Sequence, residues 1–289
     1  MNINRNRMFM KRALLFMTLA LSMTASWSKI VTDSIDSKVL GAQVLFNVYL
    51  PQGYEASSDV KYPVLYLLHG FTDTYSAWAQ KGQLEVIADE LTRSGEICPM
   101  VIIMPNAGGP QTRTTWNGYF NMEGWAYEDF FYQEFLPTVE QRYHAIGDKQ
   151  HRAISGLSMG GGGSTVYAQR HPDMFSSCYA MSPWLTSHAP ELNPDDKATY
   201  VQRAVHDHSA IEFVRNATES QRIDMLTVRW FIDIGDDDFL LDQSFEMYTE
   251  MRRQRIPCEL RVRDGVHNWE YWHTALRTSL PFASREFMK

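Results

Sequence analysis

The sequence predicts an α/β fold: one domain with a mostly parallel central sheet and helices on both of its faces. Three observations carry that prediction. The apolar residues fall in short runs, Val64–Leu68, Val101–Met104, Ala153–Ile154, Cys178–Met181 and Trp230–Ile234, the last interrupted only by Asp233, as strands do when both faces are covered. Between the runs, apolar side chains recur at three-to-four spacing, the period of a helix. No Pro/Ser-rich linker or block of like charge breaks the alternation, so a single doubly wound domain follows.

The N-terminus stands apart from that domain. Arg5, Arg7, Lys11 and Arg12 precede Ala13–Ala25, which is apolar apart from Thr and Ser. Such a run is shorter than the ~20 residues needed to cross a bilayer and fits an export leader. Small residues at Ala25, Ser26 and Ser28 set cleavage after Ala25 or Ser28, leaving a domain over 29–289. Removing residues 1–25 takes four cations and no acid, so 23 cations then face 34 acids.

The first strands differ in kind from the later ones. In Gln43–Leu50, Val44, Phe46, Val48 and Leu50 alternate with other residues, the mark of an antiparallel strand, and residues 29–36 can pair with it. Residues 127–143 read as a helix, with Tyr127, Phe130, Phe131, Phe135, Val139 and Tyr143 on one face. Pro137 should kink or restart it. The stretch 183–227 is polar, holds Pro183, Pro190 and Pro194, and reads as an irregular excursion on the sheet rim, placed to cap a site. Glu259–Arg263 reads as a last strand. Trp269, Trp272, Leu276 and Leu280 begin a closing helix that contains Pro281.

Composition narrows the function. The chain has 289 residues, 44% apolar and 21% charged, with 12 Pro and 17 Gly. These values lie close to the soluble average and exclude disorder, collagen and coiled coil. A net charge of −7 without a Lys/Arg-rich run in the body speaks against a nucleic-acid partner. Cys98, Cys178 and Cys258 allow at most one bridge; lacking metal or redox spacing, they read as small buried apolar residues. His206-Asp207-His208 lacks a third ligand at supporting spacing and reads as solvated loop, so no metal is expected. Asn216-Ala217-Thr218 has the form of a glycosylation sequon.

One motif carries chemistry. Gly156-Leu157-Ser158-Met159-Gly160 is a G-x-S-x-G lying between a strand and a helix, the setting in which a tight turn presents a nucleophilic serine. Gly160–Gly163 follow at the helix start, although each Gly costs up to ~1 kcal/mol against Ala there. Close packing of this helix on the sheet, with its first amides open to an anion, accounts for them. A serine hydroxyl needs a base, and the base an orienting acid. In serine hydrolases of α/β type these follow the nucleophile as acid, then His. His267, in a loop after a strand and before the last helix, fits the base; His273 falls inside that helix. Asp233 lies within a strand and would be buried below the catalytic edge. Asp236, Asp237 and Asp238 follow it, and spacing does not choose among them. An oxyanion hole needs two backbone N–H groups. Met159 supplies one, and the loop His69-Gly70-Phe71 supplies the Phe71 amide. His69 precedes the nucleophile and reads as a structural hydrogen-bonding residue.

Together Tyr49-Leu50-Pro51, Tyr62–Gly70, Gly156–Gly161 and Gly265-Val266-His267-Asn268-Trp269 resemble the esterase D family, and more narrowly the feruloyl and acetyl-xylan esterases of carbohydrate esterase family one. The resemblance covers about residues 40–285 and implies an α/β-hydrolase fold, a serine esterase without cofactor, and an ester of a small molecule or plant polysaccharide as its partner. No stable membrane insertion is implied once the leader is removed. It also implies Asp238 as the acid, through the match of Gly235-Asp236-Asp237-Asp238-Phe239-Leu240 to G-x-x-D-x-L, and Phe71 and Met159 as amide donors. Asn268 departs from the acid many relatives carry there.

Within this reading Trp116 and Trp184, on polar loops, are candidates for stacking on a sugar or cinnamoyl ring. Trp269 and Trp272, at helical spacing, read as core. Rival readings share the fold. A formylglutathione thioesterase is disfavoured by the leader, because that substrate is cytosolic. An acyltransferase of mycolyltransferase type would need an acceptor other than water. An inactive fold used as a carbohydrate-binding module is disfavoured by the intact Ser, Asp and His, and a metal-dependent hydrolase is the weakest alternative.

Overall fold

The chain enters the fold as a hairpin. Strand β1 (Lys29–Ser37) runs antiparallel to β2 (Ala42–Leu50), with Lys29 opposite Leu50 and Ser37 opposite Ala42. The structure is a computed structural model that describes residues 27–289; the leader expected at 1–25 lies outside the described residues. In chain order there follow β3 (Val64–Leu68), α1 (Ala77–Gln80), α2 (Leu84–Ser94) and β4 (Val101–Pro105). A small hairpin of β5 (Asn121–Met122) and β6 (Trp125–Ala126) precedes α3 (Tyr127–Phe130), a π-helical turn over Phe131–Phe135, and α4 (Leu136–Arg142). Then come β7 (Arg152–Leu157), α5 (Met159–Arg170), β8 (Ser177–Met181), α6 (Lys197–Asp207), α7 (Ala210–Arg215), α8 (Glu219–Met225) and β9 (Arg229–Gly235). The chain closes with α9 (Leu241–Arg253), β10 (Cys258–Arg263) and α10 (Trp269–Phe287).

Eight strands form one sheet in the order β1-β2-β4-β3-β7-β8-β9-β10. β1 and β2 pair antiparallel, β2 meets β4 antiparallel, and every pair beyond β4 is parallel. The expected mostly parallel sheet covered on both sides is what the chain forms. β3, β4, β7 and β8 are buried along their whole lengths. Strand alternation divides them between two cores: Val64, Tyr66 and Leu68 join Phe131, Phe135 and Tyr167 on one face. Leu65 and Leu67 join Trp78, Leu276 and Leu280 on the other.

One expectation is met and two need correction. The helix over 127–143 restarts at Pro137: the chain widens into the π turn just before it, the Leu136 amide reaches back five residues to the Phe131 carbonyl, and α4 begins with Pro137 in its first turn. Proline has no N–H and its ring collides with the carbonyl four residues earlier, so a wider turn ahead of it removes the conflict. The 183–227 excursion is more ordered than its polarity suggests. It holds α6, α7 and α8, each started by a side-chain cap from Asp196, Ser209 or Thr218, the last in a capping box with Gln221. Only Cys178 is buried; Cys98 and Cys258 are half-buried, and all three are free thiols. Among the described residues no helix is long and apolar enough to cross a membrane.

Candidate active site

Ser158 occupies the turn between β7 and α5 in a conformation few residues with a Cβ adopt, φ 52° and ψ −117°. The turn is held from both sides. The Ser158 amide donates to the Met181 carbonyl of β8 at 2.9 Å, and the Ser158 carbonyl accepts from the amides of Gly162 and Trp184 at 3.0 and 2.9 Å. The glycines that open α5 are there because backbone passes where a Cβ would stand. A Cβ on Gly160 would lie 2.5 Å from the His69 carbonyl oxygen, and one on Gly162 would run into the carbonyl of Trp184. The helix start therefore lies hard against the loop after β3 and the loop after β8.

His267 lies between β10 and α10, where Asn268 caps the helix by accepting the Tyr271 amide at 3.0 Å. Asn is among the residues best suited to this cap position. The His267 Nε2 is 3.0 Å from Ser158 Oγ, and its Nδ1 is 2.8 Å and 3.0 Å from the two carboxylate oxygens of Asp238. A carboxylate only accepts, so Nδ1 carries the ring proton and Nε2 is left to accept from the serine hydroxyl. Of the three carboxylates after β9, only Asp238 turns inward. Asp236 accepts the Gly265 amide at 3.0 Å, Asp237 is exposed, and Asp238 is buried. Burial alone would raise the Asp238 carboxyl, but hydrogen bonds from His267, the Leu240 amide and Ser182 more than offset it and hold the group below its ordinary value.

The loop His69-Gly70-Phe71 borders the serine; a Cβ on Gly70 would stand 3.7 Å from the Ser158 Cβ. As the first residue of α5, Met159 has an amide with no intrahelical acceptor. His69 is a strut. Its Nε2 accepts the Ala107 amide at 2.9 Å, its Nδ1 meets the Gly70 carbonyl at 2.8 Å, and burial pulls its pKa down to about 4. Asp233 is fully buried and accepts from the Tyr179 and Tyr271 hydroxyls, each at 2.6 Å, and from Arg261.

Ser158 and His267 open onto a cavity of about 930 Å³ walled by Phe71, Trp184, Phe239 and Trp269. The excursion after β8 contributes Trp184, Thr186, His188 and Gln202 to this wall. Of the two tryptophans singled out in the sequence, Trp184 is in the cavity, with its ring edge-on to Phe71 at 5.9 Å. Trp116 is elsewhere, packed on Tyr200 with the Lys197 ammonium 4.5 Å from its ring. His273 bonds the Trp269 carbonyl within α10 at 2.9 Å. His206 and His208 direct their Nδ1 atoms to the Ser187 and Ala204 carbonyls.

Sequence reasoning missed four residues at the site. Trp269, read as core, is only partly buried and walls the cavity. Trp272 is a core side chain, as read, but it also meets the His267 ring edge-on at 4.8 Å. Ser182 accepts its indole N–H at 3.0 Å behind Asp238. Phe239 also packs against the His267 imidazole, with ring centroids 4.4 Å apart. Its one signal in the sequence is its place beside an acid in a polar turn.

Residues 37–283 match the Esterase family. A solved ferulic acid esterase is 51% identical, superposes with a TM-score of 0.87, and is matched over 90% of this chain and 99% of its own. A curated endo-1,4-beta-xylanase/feruloyl esterase of Xylanibacter ruminicola is 30% identical over 181 residues, 62% of this chain. The match spans only 23% of that larger protein. An S-formylglutathione hydrolase from Agrobacterium tumefaciens, 20% identical with a TM-score of 0.73 over 91% of this chain and 97% of its own, shares the fold.

Proposed function

Because the chain belongs to the Esterase family and is thereby a serine carboxylic-ester hydrolase, we propose that it removes feruloyl groups from plant polysaccharide, with Ser158 as nucleophile, His267 as base and Asp238 as orienting acid. The observation that carries the assignment is the unbroken hydrogen-bonded chain from Asp238 through His267 to Ser158, at 2.8 and 3.0 Å. His267 Nε2 takes the hydroxyl proton as Ser158 Oγ attacks the ester carbonyl. Asp238 holds the ring and stabilises the imidazolium that forms. The amides of Phe71 and Met159 meet the developing oxyanion, where a single donor is worth roughly 3 kcal/mol. The imidazolium returns its proton to the leaving alkoxide, and water repeats the sequence on the acyl-enzyme.

The substrate follows from the cavity and from the 51% identical ferulic acid esterase. Phe71, Trp184 and Trp269 offer flat apolar faces suited to a cinnamoyl ring. The basic and apolar N-terminus supports export, with the mature chain beginning at Ser26 or Lys29.

Two experiments test the reading. A folded Ser158→Ala variant should lose aryl acetate turnover by about 10⁴-fold or more; wild-type rates in that variant would overturn the triad. Compared on methyl ferulate, acetylated xylan and a short aliphatic ester, the enzyme should show its highest kcat/KM on the ferulate. A higher value on acetylated xylan would replace feruloyl by acetyl as the group removed.

A further inference from the structure

We propose that Phe239 is the platform on which the sugar of the leaving alcohol stacks, so that its ring sets the preference for sugar esters over simple alkyl esters. The proposal rests on the esterase reading above.

His267 Nε2 must hand its proton to the leaving oxygen, so that oxygen lies within hydrogen-bond reach of Nε2 and the alcohol departs past the imidazole. Phe239 stands on this path. Its ring centroid is 4.4 Å from that of His267, tilted by 48°, and it lines the same cavity as Ser158. The side chain is 76% exposed, whereas its chain neighbours Asp238 and Leu240 are buried. The backbone around it is fixed, because the Leu240 amide donates to Asp238 Oδ1 at 2.9 Å and Asp238 in turn grips His267. Phe239 thus presents a largely uncovered aromatic ring, on a fixed stretch of backbone, beside the proton donor. A furanose or pyranose joined to the leaving oxygen can lay its C–H face on that ring, whereas a methyl group is too small to cover it. Trp184 and Phe71, edge-on to each other at 5.9 Å, form a separate aromatic wall for the acyl side.

The test is the ratio of kcat/KM on a feruloylated arabinoxylan oligosaccharide to that on methyl ferulate, measured with the whole enzyme. Phe239→Ala should lower this ratio about tenfold, through KM on the sugar ester. Phe239→Trp should keep the ratio within about threefold of wild type, and Phe239→Leu should behave like the alanine variant because it has bulk without a flat face. If both substrates lose the same factor in Phe239→Ala, the ring only props His267 and the proposal falls. A leucine variant with the wild-type ratio would also overturn it, since any apolar cover would then suffice. Should the wild-type enzyme ignore both ferulates, the acyl assignment fails on its own, and the same ratio on an acetylated xylo-oligosaccharide against ethyl acetate reads the platform.

Discussion

The side-chain amide of Asn117 donates to the carbonyl of Phe71 at 2.6 Å. Asn117 is fully buried, and the same nitrogen also meets the carbonyls of Gly109 at 3.0 Å and Asp73 at 3.3 Å. One donor group therefore fixes the peptide next to the proposed oxyanion amide. Asn117→Ala should lower kcat about tenfold with little change in KM and cost roughly 1–3 kcal/mol of stability. Asn117→Asp should be worse in denaturant unfolding, because it points a carboxylate at three carbonyls. An aspartate variant as stable as the alanine one would deny Asn117 this role.

A second support lies behind the acid. The Trp272 indole N–H donates to Ser182 Oγ at 3.0 Å, which leaves the serine proton free for Asp238, whose carboxyl Ser182 helps to hold down. Ser182→Ala should lower kcat roughly fivefold, and Trp272→Phe, which keeps the ring against His267, about threefold. The two act along one chain, so the double variant should be no slower than about the Ser182→Ala enzyme. Multiplied effects on kcat would show two independent supports.

His69 predicts a pH dependence of stability. Burial pulls its pKa from 6.5 down to about 4, so the native state resists binding a proton that the unfolded chain accepts. The stabilisation is therefore present above pH 6.5 and is lost as pH falls from 6.5 towards 4, roughly 3 kcal/mol over that window. Unfolding free energies measured across it should fall more steeply in the wild type than in His69→Gln, by about 1.4 kcal/mol per pH unit. Parallel slopes would mean that His69 titrates normally in the fold.

Much of this was legible because the physics is local. A strand covered on both faces is apolar over most of its length, so β3, β4, β8 and, apart from Asp233, β9 show as runs. β7 shows only as Ala153–Ile154, because it continues through Ser155 and Gly156; Gly156 is small where α5 and β3 press on it, and Ser155 hydrogen-bonds to Tyr179 of β8 and Ser279 of α10. The order of Ser158 and His267 and their loops located the site. The choice of Asp238 over Asp236 and Asp237 did not come from spacing, since it depends on which carboxylate the turn after β9 directs inward. Trp116 and Trp184 looked alike as aromatic residues in polar loops. They part in space because the Trp184 amide is tied to the Ser158 carbonyl while Trp116 leans on α6. Phe239 carries no periodic signal, being an exposed phenylalanine beside three acids.

The backbone at Ser158 should be a measurable reservoir of strain. With φ 52° and ψ −117°, it stands where a Cβ crowds the neighbouring peptides, a cost of about 1–3 kcal/mol. Ser158→Ala keeps the Cβ and so keeps the strain. Ser158→Gly removes it, but gives the unfolded chain extra freedom worth about 0.5–1 kcal/mol. Both variants lack the nucleophile, so activity cannot bias the comparison. The glycine variant should be the more stable by about 1 kcal/mol, seen as a Tm roughly 2 °C higher. Equal melting temperatures, or a lower one for glycine, would mean that the bonds from Ser158 to Met181, Gly162 and Trp184 hold a relaxed turn. The expected order instead makes the nucleophile's presentation a cost borne by the surrounding β7, β8 and α5.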